Sequence, residues 1–234
     1  MRLLLFDIDG TLVDTGGIGR SSLQEGMRLA FPEAVGEQEV PPLELAGATD
    51  LGLTRFLFET FDVEQTIENE TAVWDAYVGV LRDEIIAKDG TVRGRVLDGV
   101  NALLDRLTQL PDVAVGLLTG NTLEGAQTKM DAYGLSQYFC FESGAYGSDH
   151  WDRNELGFVA ITRASEKRGH CFSPDQVTVI GDTPKDIACG KACGARTLAV
   201  ATGCFERGAL AGHEPNQLVG DLAATEEIVS WLIR

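Results

Sequence analysis

Asp7 and Asp9, in the segment Asp7-Ile8-Asp9-Gly10-Thr11, follow directly on the apolar run Leu3-Leu4-Leu5-Phe6. Such a run reads as a strand buried on both faces, and open α/β sheets bind ligands beyond the carboxyl ends of their strands. Two carboxylates delivered there can share a displacement. One attacks a phosphorus or carbon centre, and the other exchanges a proton with the leaving group. Gly10 allows a sharp turn behind them. Asp and Gly are also ordinary turn formers, so the segment draws its meaning from what accompanies it. Two more stretches share its format of strand, polar turn and helix. Val113-Ala114-Val115 leads through Leu117-Leu118 to Thr119-Gly120-Asn121, and Val177-Thr178-Val179-Ile180 leads to Gly181-Asp182-Thr183-Pro184-Lys185-Asp186.

The elements that position these ends follow from periodicity. Helical spacing of apolar residues marks 21–31, 49–61 and 64–88, a helical insert of roughly 15–90 with Gly16, Gly17 and Gly19 at one joint and Asp89-Gly90 through Gly99 at the other. Beyond it, helices at 98–109, 122–133, 154–168 and 184–193 alternate with strands at 113–118, near 139–141, at 177–180 and at 197–201, and a helix at 226–232 closes the pattern. Asp221 is a candidate cap for the turn before that helix. Alternation of this kind implies right-handed crossovers and a mostly parallel sheet with helices on both faces, a Rossmann-like α/β core. The expected division is therefore a core of 1–14 and 91–234 with a helical unit at 15–90.

Composition narrows the partners. With 36 acidic against 19 basic residues the net charge is −17, which argues against nucleic acid, since that needs a basic face to displace counterions. An anionic substrate would then need local positive charge from a metal or a few placed Lys and Arg. No apolar stretch reaches the ~20 residues of a membrane helix, and the early apolar run of four is too short for a secretory signal. Five cysteines without CxxC spacing read as reduced thiols, Cys189 and Cys193 as small buried residues, and the expected location is the cytoplasm.

With Asp-x-Asp-Gly-Thr, Thr-Gly-Asn and Gly-Asp-x-x-x-Asp in this order, the chain resembles the haloacid dehalogenase-like hydrolase superfamily over essentially its whole length. The insert after the first motif resembles that superfamily's C1-type cap, found in phosphoglycolate phosphatases and β-phosphoglucomutases. The resemblance implies a phosphatase acting on a small phosphorylated metabolite, phosphoglycolate being the default, as a monomer or homodimer. It makes Asp7 the nucleophile that becomes an aspartyl-phosphate, and Asp9 the acid that protonates the leaving alcohol and then activates water. Thr119 would hold a phosphoryl oxygen, with backbone donors from Gly120 and Asn121 at a helix start; a helix N-cap is the other use for Thr119. Asp182 and Asp186, four apart, can face the same point as Asp7. Converging carboxylates repel unless a cation lies among them, and hard oxygen ligands beside a phosphate favour Mg²⁺. The implied metal set is Asp7, Asp9, Asp182 and Asp186, with capping of a helix as the alternative use of Asp186.

Relatives usually place a lysine at the start of the helix that precedes the Gly-Asp strand, where this chain has Ser148-Asp149-His150-Trp151-Asp152-Arg153-Asn154-Glu155-Leu156. Arg153, 29 residues before Asp182, is the expected substitute rather than Lys167, 15 before it. His150, a loop histidine without a partner defined by sequence, reads as structural. Gly47-Ala48-Thr49-Asp50 is the expected substrate-facing loop, with Thr49 a substrate contact and Arg55 a partner for an anionic tail. Asp9 weighs against a dehalogenase, and glycines where C1 mutases carry a hinge histidine weigh against a mutase. A receiver-type phospho-acceptor module would be about half this length.

Overall fold

The computed structural model describes residues 1–43 and 46–234. They form a parallel sheet in the order β4-β1-β5-β6-β7, from β1 (Arg2–Phe6), β4 (Val113–Leu117), β5 (Val177–Gly181), β6 (Arg196–Val200) and β7 (Gln217–Val219). Strands β1, β4 and β5 are near-continuous apolar runs because helices cover both faces. Alternation sorts their side chains. Leu4, Phe6, Val115 and Leu117 pack beneath α5 (Val100–Thr108), α6 (Leu123–Ala132) and α10 (Thr225–Leu232). Leu3, Leu5, Ala114 and Val179 pack beneath α7 (Arg153–Arg168) and α8 (Pro184–Ala192), where Cys189 and Cys193 are buried among them.

Register decides where the chemistry can sit. Phe6 is level with Leu117 on one side and with Ile180 on the other. The residues that follow, Asp7, Leu118-Thr119 and Gly181-Asp182, therefore emerge along one edge of the sheet.

Four helices, α1 (Ile18–Ala30), α2 (Pro32–Val35), α3 (Asp50–Phe61) and α4 (Ile67–Ile85), bury a cluster of their own around Leu23, Met27, Leu57, Phe58, Val73, Tyr77 and Leu81. The chain enters and leaves this unit through a small antiparallel ribbon, β2 (Val13–Asp14) against β3 (Arg95–Val96). No helix among the described residues is long and apolar enough to cross a membrane.

One expected strand is absent from its place. Around 139–141 the chain makes two 3₁₀ turns, Ser136–Tyr138 and Phe141–Ser143, and Phe139 packs edge-on against Phe6 with ring centroids 6.4 Å apart. The aromatics there mark packing under the sheet, while local hydrogen bonds such as Phe139 N–H to Ser136 O hold the backbone in turns. Four short elements lie outside the sequence reading: the β2–β3 ribbon, α2, β7, and α9 (Arg207–Ala211).

Candidate active site

The aligned strand ends open into a cavity of about 430 Å³. Asp7, Asp9, Thr119, Gly120, Asn121, Arg153 and Asp182 line it from the sheet, and Gly19, Arg20, Leu23, Leu53 and Tyr77 from the helical unit. Behind Asp7 the backbone turns through Gly10 at φ +82°, and a Cβ there would lie 2.4 Å from Asp182 Oδ2. Glycine is required both for the turn and for the approach of Asp182.

Carboxylate oxygens of Asp7, Asp182 and Asp186, all buried, lie within 4.8 Å of one another. Arg153, the first residue of α7 and 5% exposed, binds two of the three through one nitrogen: Nη2 is 3.0 Å from Asp7 Oδ1 and 2.5 Å from Asp186 Oδ1. Its Nε is buried with no partner among the described residues, so the guanidinium fork keeps a donor in reserve. Asp186 also closes a capping box with Thr183, whose N–H reaches Asp186 Oδ2 at 3.0 Å. Its two oxygens thus serve the helix and the site. Asp182 accepts from the Thr11 hydroxyl at 3.1 Å and has no cationic partner among the described residues. Burial, with the charges of Asp186 and Asp7 beside it, pushes the Asp182 carboxyl up to about 8. Burial likewise raises Asp7 to about 6, although Arg153 works against it. A buried trio of hard oxygen ligands short of positive charge fits a divalent cation such as Mg²⁺.

The Asp9 carboxylate faces elsewhere and is not in this trio. Lys129 Nζ donates to both its oxygens at 2.8 and 2.6 Å, and Asn121 Nδ2 donates to Oδ2 at 2.8 Å. Burial pushes Asp9 up, but the Lys129 ammonium and these hydrogen bonds outweigh burial and hold it below the usual carboxylate range. A carboxylate already neutralised by an ammonium has little left for a metal, so Asp9 separates from the implied ligand set through its side chain. Lys129 escaped the sequence reading. The available signal was a lysine on α6 one residue before buried Met130 and three after buried Ala126, a charged residue on a core-facing stretch.

Thr119 does not cap α6. Thr122 does, accepting from Gly125 N–H at 3.1 Å, and the Thr119 hydroxyl instead accepts from the side chain of Asn121 at 2.8 Å. The Asn121 N–H also points to Thr119 Oγ1, at 3.3 Å. Gly120 permits a crossing, since a Cβ there would lie 1.8 Å from Ala48 O. At that crossing Asp50 N–H donates to Gly120 O at 2.7 Å, and Asp50 Oδ2 accepts from Thr122 N–H at 2.7 Å. Burial raises the Asp50 carboxyl to about 6. Thr49, expected to touch substrate, spends its hydroxyl on structure: it donates to Trp151 O at 2.7 Å and caps α3 by accepting from Gly52 N–H at 3.1 Å. It lines a neighbouring cavity rather than this one. Arg55 pairs with Glu70 at 3.7 Å, outside the cavity lining, and Arg20 stands on the cavity wall instead. His150 accepts from Asp152 N–H at 3.0 Å and stacks on Trp151.

Strand-end aspartates, a Thr-Gly-Asn turn and a buried arginine–aspartate cluster in one cavity agree with the sequence pattern of the haloacid dehalogenase-like hydrolases, which matches residues 1–194. The chain belongs to that family. Its curated relatives put it with the family's phosphoric monoester hydrolases. It is 24% identical over 230 residues to the phosphoglycolate phosphatase of Vibrio cholerae, covering 98% of this chain and 97% of that protein. It is 25% identical to a 5'-nucleotidase of Pseudomonas aeruginosa, covering 97% of this chain and 94% of that one. A solved hydrolase from Pseudomonas syringae has the same fold, with a TM-score of 0.64 at 17% identity and full coverage of both chains.

Proposed function

We propose that this chain is a Mg²⁺-dependent phosphatase that hydrolyses a small phosphorylated metabolite through a phosphoryl group carried on Asp7. The observation that carries the reading is Arg153 Nη2, shared between Asp7 and Asp186 at the strand end beside the uncompensated Asp182. Asp7, Asp182 and Asp186 would hold the metal, which would supply the positive charge that three carboxylates and a phosphate lack. Arg153 steadies the Asp7 carboxylate and brings its guanidinium charge beside the phosphoryl group. An Asp7 oxygen attacks phosphorus and the bond to the leaving oxygen breaks; Asp9, which Lys129 holds ionised, first takes up a proton from solvent and passes it to that oxygen. Water then attacks the phosphorus, Asp9 takes the water's proton, and Asp7 and inorganic phosphate separate. The Thr119 hydroxyl and the Gly120 N–H are the fixed donors for the phosphoryl oxygens.

The helical unit at 15–90 serves as the cap that selects the leaving group. Its contribution to the cavity is mostly apolar, through Leu23, Leu53 and Tyr77, with the Asp50 carboxyl turned to the Thr122 N–H and one cation, Arg20, that has no acidic partner among the described residues. A short leaving group ending in a carboxylate suits that wall, and phosphoglycolate is the first candidate. The free thiols suit a reducing compartment, the cytoplasm. A panel of phosphorylated metabolites assayed with Mg²⁺ tests the reading. The expected result is a preference for small phosphorylated acids that Arg20→Ala weakens through KM while hydrolysis of an uncharged aryl ester changes little. Equal rates on all substrates before and after that substitution would overturn the assignment of Arg20.

A further inference from the structure

Asp7 has its cation in Arg153. Asp9 has a second, Lys129, which none of the three motifs contains. Lys129 closes a ring of hydrogen bonds. Its Nζ donates to Asp9 and, at 2.6 Å, to Asn121 Oδ1, while Asn121 Nδ2 returns to Asp9 Oδ2 at 2.8 Å. The ring uses the three N–H bonds of the ammonium and fixes which way the Asn121 amide points. Lys129 is 2% exposed, and a buried ammonium costs more desolvation than an apolar residue of the same length beside Met130 would. Stability alone is therefore a poor account of a lysine at this position. What the ammonium holds explains it better.

We propose that Lys129 is a positioning residue that, with Asn121, holds the Asp9 carboxylate in one orientation at the cavity wall, and that the second half of the reaction depends on this more than the first. The inference rests on the division of labour between Asp7 and Asp9 proposed above. When the leaving group is a stable phenolate, transfer of the phosphoryl group to Asp7 needs no proton from Asp9. Attack of water always needs a base: the new P–O bond forms, the bond to Asp7 breaks, and the water's proton passes to Asp9. Without Lys129 the Asp9 side chain, 41% exposed, keeps only the neutral donors of Asn121 and Thr15 and can turn away from that path.

The test is rapid-mixing hydrolysis of p-nitrophenyl phosphate by the full chain with Mg²⁺, comparing wild type with Lys129→Met. In the variant the first turnover should keep nearly its normal rate while steady-state turnover falls roughly 10²-fold, so that a stoichiometric burst precedes a slow phase and acid-quenched protein carries phosphate. A parallel fall of both phases, as general loosening of the site would give, overturns the proposal, and so does an unchanged steady state. Lys129→Gln keeps a donor of shorter reach without the charge; it should give a burst with a steady state between the two, and it supplies the same comparison if the methionine variant does not fold. A wild-type chain that releases no p-nitrophenolate overturns the phosphatase reading itself, an outcome visible before any variant is made.

Discussion

Arg153 serves two carboxylates from one nitrogen, and its loss would leave both Asp7 and Asp186 buried without it. Arg153→Ala should lower kcat by roughly 10²–10³-fold, the scale for removing one fixed charge from a site that stabilises transferring groups. Arg153→Lys should recover part of the rate, because an ammonium supplies the charge without the fork. Lys167→Ala should stay near wild type, since Lys167 is exposed and pairs with exposed Glu142 at the far end of α7. Steady-state kinetics of the three variants checks the ranking. Asp182 and Asp7 also predict a pH effect. Both have folded-state values above their ordinary ones, about 8 and about 6, so the folded protein binds more protons than the unfolded chain across that interval. Their contribution to stability is complete at acid pH, below about 4, and is lost as pH rises toward 8. The melting temperature of the metal-free protein should therefore fall from pH 5.5 to pH 8.5, and saturating Mg²⁺ should stabilise the protein more at the higher pH. A Mg²⁺ effect that shrinks as pH rises would contradict the assignment of these carboxylates as ligands.

Where the start of α3 crosses the Thr119-Gly120-Asn121 turn, the contact is backbone to backbone. Asp50 N–H donates to Gly120 O at 2.7 Å, and Leu51 N–H donates to Gly147 O at 3.2 Å. Gly120→Ala would put a methyl into Ala48 O, and overpacking of this kind costs about 1–3 kcal/mol. Thermal melts of Gly120→Ala should show that loss, and its activity should fall with it because the same turn carries Thr119. These elements also mark the reach of the sequence. Strands β1, β4 and β5 and the residues at their ends were legible because continuous apolar runs ending in Asp, Thr and Gly are written in neighbouring positions. The role of Lys129 was not, since its partner Asp9 lies 120 positions away and no local pattern pairs them. Thr49 misled because the sequence places it in a substrate-facing loop but does not reveal that Trp151 O takes its hydroxyl. Two-residue strands such as β2 and β3 carry no period to read, and near Phe139 the apolar density came from packing rather than from a ladder.

Taken whole, the molecule carries a net charge of −17 yet gathers Arg20, Lys129 and Arg153 around one cavity. Two of these are already engaged by Asp9 or by Asp7 and Asp186, so excess EDTA should abolish turnover and Mg²⁺ should restore it. Ca²⁺, with its larger and looser coordination shell, should restore it poorly. The register of β1 has a further consequence, for the order in which the chain can fold. This strand lies inside the sheet, between two neighbours that begin at residues 113 and 177. Such distant pairings make loop closure the slow part of folding. Until β5 has been synthesised and has closed onto β1, one edge of an apolar strand stays open to other chains. Asp7 and Asp182 cannot meet before that, so a nascent or truncated chain ending short of residue 177 would be prone to aggregate and would lack the carboxylate cluster of the candidate site.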